Sequence, residues 1–158
     1  AKSMDAGHSL CYNSDTKKLY EPNYFLESEE SAMTCETINA QKAPAAVGPY
    51  CHAVKAGELV FTSGQLGLDP ENGTLPDGVE AQADQALSNL DEVLKEAGLS
   101  LSDVIKTTVF LDDINDFAAI NAIYEKRFGD NKPARSCVEV AALPKGALFE
   151  IEAVAAVK

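Results

Sequence analysis

Val104-Ile105-Lys106-Thr107-Thr108-Val109-Phe110-Leu111 alternates along its length, with Ile105, Thr107, Val109 and Leu111 on one face and Lys106, Thr108 and Phe110 on the other. A period of two, carried mainly by β-branched residues, marks a strand. On both sides the period changes to that of a helix. Upstream, Ala83, Leu87, Leu90, Leu94 and Ala97 recur at i, i+4, i+7, i+11 and i+14, one stripe of an amphipathic helix. That helix is expected to start near Asp77, where Asp77 and Glu80 have capping-box-like spacing, and to end at Gly98. Downstream, Asp113 is expected to cap a second helix whose stripe is Phe117, Ile120, Tyr124 and Phe128, closed by Gly129.

Working outward again, residues 134–140 and 148–157 read as two final strands across the turn Leu143-Pro144-Lys145-Gly146. At the other end, residues 50–55 and 59–63 read as a hairpin across Ala56-Gly57-Glu58, followed by a loop rich in Gly, Pro, Asp and Asn from Gly67 to Gly78. The order β-β-α-β-α-β-β is an α+β layout, and two helices can cover only one face of so wide a sheet. In the last strand Phe149, Ile151, Ala153, Ala155 and Val157 form an apolar face, while Leu148, Glu150, Glu152 and Val154 form a mixed one. A mixed face suits a subunit interface with a site in it, so a homo-oligomer is expected.

Composition sets the class. The chain has 158 residues, 46% hydrophobic and 24% charged, which suits one globular domain. No run approaches the roughly 20 apolar residues that span a bilayer, and no basic start with an apolar core marks a secretory signal, so no membrane partner and a soluble, cytoplasmic protein are expected. A net charge of −12 argues against nucleic acid as a partner. The cysteines at 11, 35, 51 and 137 form no CxxC pair and only His8 and His52 could supplement them, so no metal is expected and free thiols are the natural reading. Residues 1–32 show no sustained period and end in Glu27-Ser28-Glu29-Glu30. They are read as an N-terminal extension of unknown role, processed or appended, ahead of a domain at 33–158.

Arg135 is the most informative polar residue. It alternates with Cys137 and Glu139, and Glu150 and Glu152 share a face of the neighbouring strand. A structural ion pair and a substrate-gripping guanidinium beside a proton-handling carboxylate both fit this pattern, and the pattern leaves both open.

Three separated blocks add to it. Lys42-Ala43-Pro44-Ala45-Ala46-Val47-Gly48-Pro49-Tyr50 with Thr62-Ser63-Gly64-Gln65 comes first. Lys106 to Leu111 follows, with Asn115-Asp116-Phe117 and Asn121. The third is Pro133-Ala134-Arg135-Ser136-Cys137-Val138-Glu139-Val140, with Leu143-Pro144-Lys145-Gly146 and Glu150-Ile151-Glu152-Ala153. In order and spacing these resemble the Rid (RidA/YjgF-type) family over residues 38–158.

The resemblance implies a chorismate-mutase-like fold assembled as a homotrimer with three clefts between subunits. It also implies cofactor-free hydrolysis of enamines and imines such as 2-aminoacrylate and 2-iminobutyrate to 2-keto acids and ammonia. Carried over by residue, Arg135 binds the substrate carboxylate and Glu150 positions or activates water, the two facing one shared pocket; Tyr50, Ser63, Gly64, Asn121 and Cys137 line the cleft. The alternative is a non-catalytic member that senses 2-keto acids or binds protein through the same arginine.

Plainer roles stand beside these. Cys137 has no histidine nearby in sequence and reads as a small lining residue rather than a nucleophile. Tyr50 serves equally as a proton donor or an aromatic anchor. Ser63-Gly64 serves as a strand-end turn or a close backbone approach. Asn121 is a structural hydrogen bonder or a cleft lining, and His52 reads as structural. Asp84 stands where many relatives carry a basic residue, off the helix stripe, and is expected to alter only the surface.

Overall fold

The computed structural model describes residues 11–13, 18–20 and 34–157. The chain divides into two units, Ala1–Ala32 and Met33–Lys158. In the first, β1 (Cys11–Asn13) pairs antiparallel with β2 (Lys18–Tyr20). The remainder of the extension lies outside the described residues.

The second unit is built on one mixed sheet. Its strands are β3 (Cys35–Ile38), β4 (Ala53–Ala56), β5 (Leu59–Thr62), β6 (Gln65–Leu66), β7 (Val104–Leu111), β8 (Ala134–Glu139) and β9 (Phe149–Ala156), with helices α1 (Val79–Glu96) and α2 (Phe117–Phe128). The order across the sheet is β3-β4-β5-β9-β7-β8, with β6 also on β9. Every pairing is antiparallel except β7 with β8. A parallel neighbour needs a crossover, and α2 supplies it.

Both helices lie on one face. Phe149, Ile151, Ala153 and Ala155 of β9 share a core cluster with Ala83, Leu87, Leu90 and Leu94 of α1 and Ile120 and Phe128 of α2. The opposite face carries Phe61, 45% exposed, and Val138, 44% exposed. The expected α+β architecture with two helices on one side of a mixed sheet is therefore present, as is the expected end of α1. There Gly98 takes φ +74, its N–H donates to Lys95 O and Leu99 N–H donates to Leu94 O, closing the last turn.

Several details differ from the sequence reading. Strand β3 was not expected; only Ile38 of its four residues is buried, so it carries no alternation to read. The first hairpin strand starts at Ala53 rather than at residue 50. Helix α1 begins after Gly78 with no side-chain cap, so the Asp77–Glu80 box does not form. Asp113 accepts from Asn115 N–H and caps the 3-10 turn Ile114–Asp116 that feeds α2, not α2 itself. Ile105 is 48% exposed: the β7–β9 register slips between Val104 and Lys106, so Ile105 is the extra residue of a bulge and Val104 takes its place inside. Phe117, placed on the buried stripe of α2, is exposed.

A second interruption shapes the site. Phe61 of β5 faces Val154 and Gln65 of β6 faces Ile151, so Thr62-Ser63-Gly64 spans a stretch that β9 crosses with two residues. The Thr62 hydroxyl fills the gap in the ladder by accepting from Ala153 N–H at 2.9 Å. Ser63 and Gly64 are thereby pushed out of the regular sheet, beside Glu150.

Candidate active site

Arg135 sits on edge strand β8 and points to the helix side of the sheet. One terminal nitrogen donates to Asn121 Oδ1 at 2.7 Å, and the guanidinium lies 4.6 Å over the Tyr124 ring and 5.4 Å from the Phe117 ring. The Tyr124 hydroxyl is hydrogen-bonded to that of fully buried Thr107 at 2.8 Å, so the ring under the arginine is fixed from below. Burial pushes the Tyr124 hydroxyl above its ordinary range, against the Thr107 bond and the arginine's charge. Arg135 opens onto a groove of about 500 Å³ lined also by Asn121, Tyr124, Glu125, Asn131 and Lys132. Among the described residues no carboxylate comes within ion-pairing distance of Arg135, so the structural ion pair that the sequence left open does not form within one chain.

Cys137 lies two residues on, packed partly against the core. Burial pushes its thiol up, opposed by the charge of Arg135, which suits a packing residue better than a thiolate nucleophile. It is not among the residues lining the groove.

Glu150 stands elsewhere. Paired Cα partners share a sheet face: Thr107, Arg135 and Ala153 on one side, Phe110, Val138 and Glu150 on the other. Arg135 and Glu150 therefore project from opposite faces of the same sheet. The expectation that they face one pocket fails within a single chain, because their strands alternate out of step once β7 aligns them.

Glu150 has its own surroundings. Burial, with the neighbouring Glu152 charge adding to it, holds its carboxyl above the usual carboxylate range. Its carboxylate occupies the space a side chain would take at Gly64. Gly64 and Tyr50 in turn line a small cavity of about 30 Å³ with residues 44–47, His52, Gln65, Leu66 and Leu68. The Ser63 hydroxyl is committed to Cys51 O at 2.7 Å, and the Tyr50 hydroxyl accepts from Val47 N–H at 3.1 Å.

The seven residues singled out from the sequence thus fall into two groups. Tyr50, Ser63, Gly64 and Glu150 gather about the β5–β6 break; Asn121, Arg135 and Cys137 gather under α2. Sequence reasoning took Tyr124 and Phe117 for plain core. Their spacing with Asn121, at i, i+4 and i+7, was the available sign that one helix face serves the arginine. Among the described residues no cluster of metal-ligating side chains occurs, and no helix is long and apolar enough to cross a membrane. Asp84 lies on the surface, 3.5 Å from Arg127.

Comparison with known proteins agrees with this architecture. Residues 40–157 match the family model described as endoribonuclease L-PSP. A RutC family protein of Haemophilus influenzae is 52% identical over 127 residues, covering 78% of this chain and 98% of that one. The 2-iminobutanoate/2-iminopropanoate deaminase of Rattus norvegicus is 51% identical over 126 residues, covering 79% and 92%. The crystal structure of the YjgF gene product from Escherichia coli superposes with a TM-score of 0.75 at 48% identity, covering 78% of this chain and 99% of that one.

Proposed function

Because the chain belongs to the Rid (YjgF/RidA) family, we propose that it hydrolyses small 2-imino acids to 2-keto acids and ammonia, without a cofactor, in clefts built from two copies of the chain. The observation that carries this reading is Arg135: a guanidinium fixed by Asn121 and stacked on Tyr124, with no carboxylate of its own among the described residues. Such a group fits the carboxylate of a small acid, gripped by its planar fork. Relatives at about half identity bear the matching deaminase name.

The chemistry needs little beyond positioning. A protonated imine carbon is already electrophilic, so a held carboxylate, an oriented water and a proton acceptor suffice. Arg135 holds the carboxylate. Glu150 of another copy takes a proton from water as its oxygen bonds to the imine carbon. The amine nitrogen of the carbinolamine then gains a proton, the C–N bond breaks and ammonia leaves. The hydroxyl gives up its proton as the carbonyl of the 2-keto acid forms, and Glu150 returns its proton to solvent. The Tyr50 hydroxyl, accepting from Val47 N–H, keeps its own proton for donation toward the nitrogen. Two half-sites on opposite faces of one sheet meet only if a second copy brings its Glu150 face to the Arg135 groove, and the homotrimer is the assembly we propose. The net charge of −12 weighs against nucleic acid as the substrate, whatever the description of the family model.

The test is direct. 2-Iminobutyrate is generated in situ by a threonine dehydratase and its loss is followed with this protein added. Accelerated loss that disappears in Arg135→Ala supports the deaminase. Binding of 2-ketobutyrate without acceleration supports the sensing alternative.

A further inference from the structure

His52 is 6% exposed and stands immediately before β4. Its Nδ1 accepts from Ala40 N–H at 2.9 Å and its Nε2 lies 2.9 Å from Pro44 O. A backbone N–H can only donate and a carbonyl can only accept, so the ring carries its proton on Nε2 and a lone pair on Nδ1. Among the described residues, both side-chain hydrogen bonds that reach residues 40–47 from outside residues 40–50 come from this ring. The backbone of His52 faces the other way: its carbonyl accepts from Ser63 N–H at 2.9 Å, next to Gly64. His52 thus joins the two walls of the Tyr50–Gly64 cavity, the 44–47 loop on one side and the β5–β6 break on the other.

We infer that His52 is a positioning residue of the Glu150 half-site, clamping the 40–47 loop through one accepted and one donated hydrogen bond. The inference rests on the function proposed above for that half-site. The side chain holds the 40–47 loop while the backbone of the same residue holds Ser63, so one residue sets the spacing of the two cavity walls.

Glutamine offers one acceptor and one donor, so His52→Gln keeps the clamp; His52→Leu removes it. Amide exchange of residues 38–47, corrected for intrinsic rates, is measured at neutral pH. The wild type and His52→Gln are expected to be equally protected, and His52→Leu to exchange about fivefold faster, the loss of one net hydrogen bond. A His52→Leu as protected as the wild type, or a His52→Gln that exchanges about fivefold faster than the wild type, overturns the inference, and the second comparison stands even if His52→Leu fails to fold. Imine hydrolysis followed in parallel should keep its kcat/KM in His52→Gln and lose it in His52→Leu. A wild type inert toward imine contradicts the proposed function and leaves the exchange comparison, which needs no turnover, to decide the role of His52.

Discussion

Gly64 lies so close to Glu150 that a Cβ there would sit within 2.8 Å of the carboxyl carbon. The obstacle is the free end of a flexible side chain, which can swing aside. Gly64→Ala should therefore fold with nearly wild-type stability but, if Glu150 is the general base proposed above, lose at least about tenfold in kcat/KM, because displacing such a base costs one or more orders of magnitude. Gly67 makes the contrast: a Cβ there would meet the backbone of Gln82 in α1, 2.6 Å from its Cα, and backbone cannot swing aside. Gly67→Ala should cost about 1–3 kcal/mol in denaturant unfolding. Equal stability losses in the two variants would contradict this account of the break.

The Glu150 carboxyl has a predictable pH signature. In the proposed mechanism it must be ionised to take a proton from water, and burial with the Glu152 charge raises its pKa, so activity is expected to fall on acidification at a higher pH than for an ordinary glutamate. Replacing Glu152 by Gln removes the repelling charge, lowers the Glu150 pKa and moves the acid limb of the kcat/KM profile to lower pH. A limb that stays put or moves up would show that another group sets it.

Arg135 combines a fork, a stack and a charge. Arg135→Lys keeps the charge but loses the planar pair of donors and the stacking on Tyr124. We expect the KM for imine and the Kd for 2-ketobutyrate each to rise about tenfold or more, the worth of one charge-assisted hydrogen bond. Unchanged affinity for the keto acid would move the carboxylate site away from this groove.

Asn89 is a structural counterpart. Buried in α1, it donates to Leu66 O and Leu68 O at 2.9 and 2.8 Å and accepts from Gln85, so it fixes the exit of β6. Asn89→Leu leaves both carbonyls without this donor and should lower the unfolding free energy by about 2–3 kcal/mol. A change under half of that would mean that water or backbone takes over.

The elements that read clearly in the sequence are those with one buried face. Helix α1 and strand β9 each bury a strict stripe, and their periods name them. Strand β3 is exposed on nearly every residue and β6 has two residues, too few for any period. The bulge at Ile105 is invisible because an alternating strand reads equally well in either phase until its partner is known. The same lack of a partner hid the arrangement of the site. Spacing within β8 puts Arg135, Cys137 and Glu139 together and spacing within β9 puts Glu150 with Glu152, but only the pairing of both strands with β7 fixes which faces coincide. The blocks that carry the family resemblance named the residues without that phase.

That phase is what the function proposed here depends on: Arg135 from one copy and Glu150 from another in each cleft. Mixing two inactive variants, Arg135→Ala and Glu150→Gln, after unfolding and joint refolding at equal amounts, tests it most directly. In random assemblies about one quarter of the clefts receive an intact arginine and an intact glutamate, so about a quarter of the wild-type imine hydrolysis should return. A mixture as inactive as its parts, while refolded wild type regains its rate, would contradict the shared cleft.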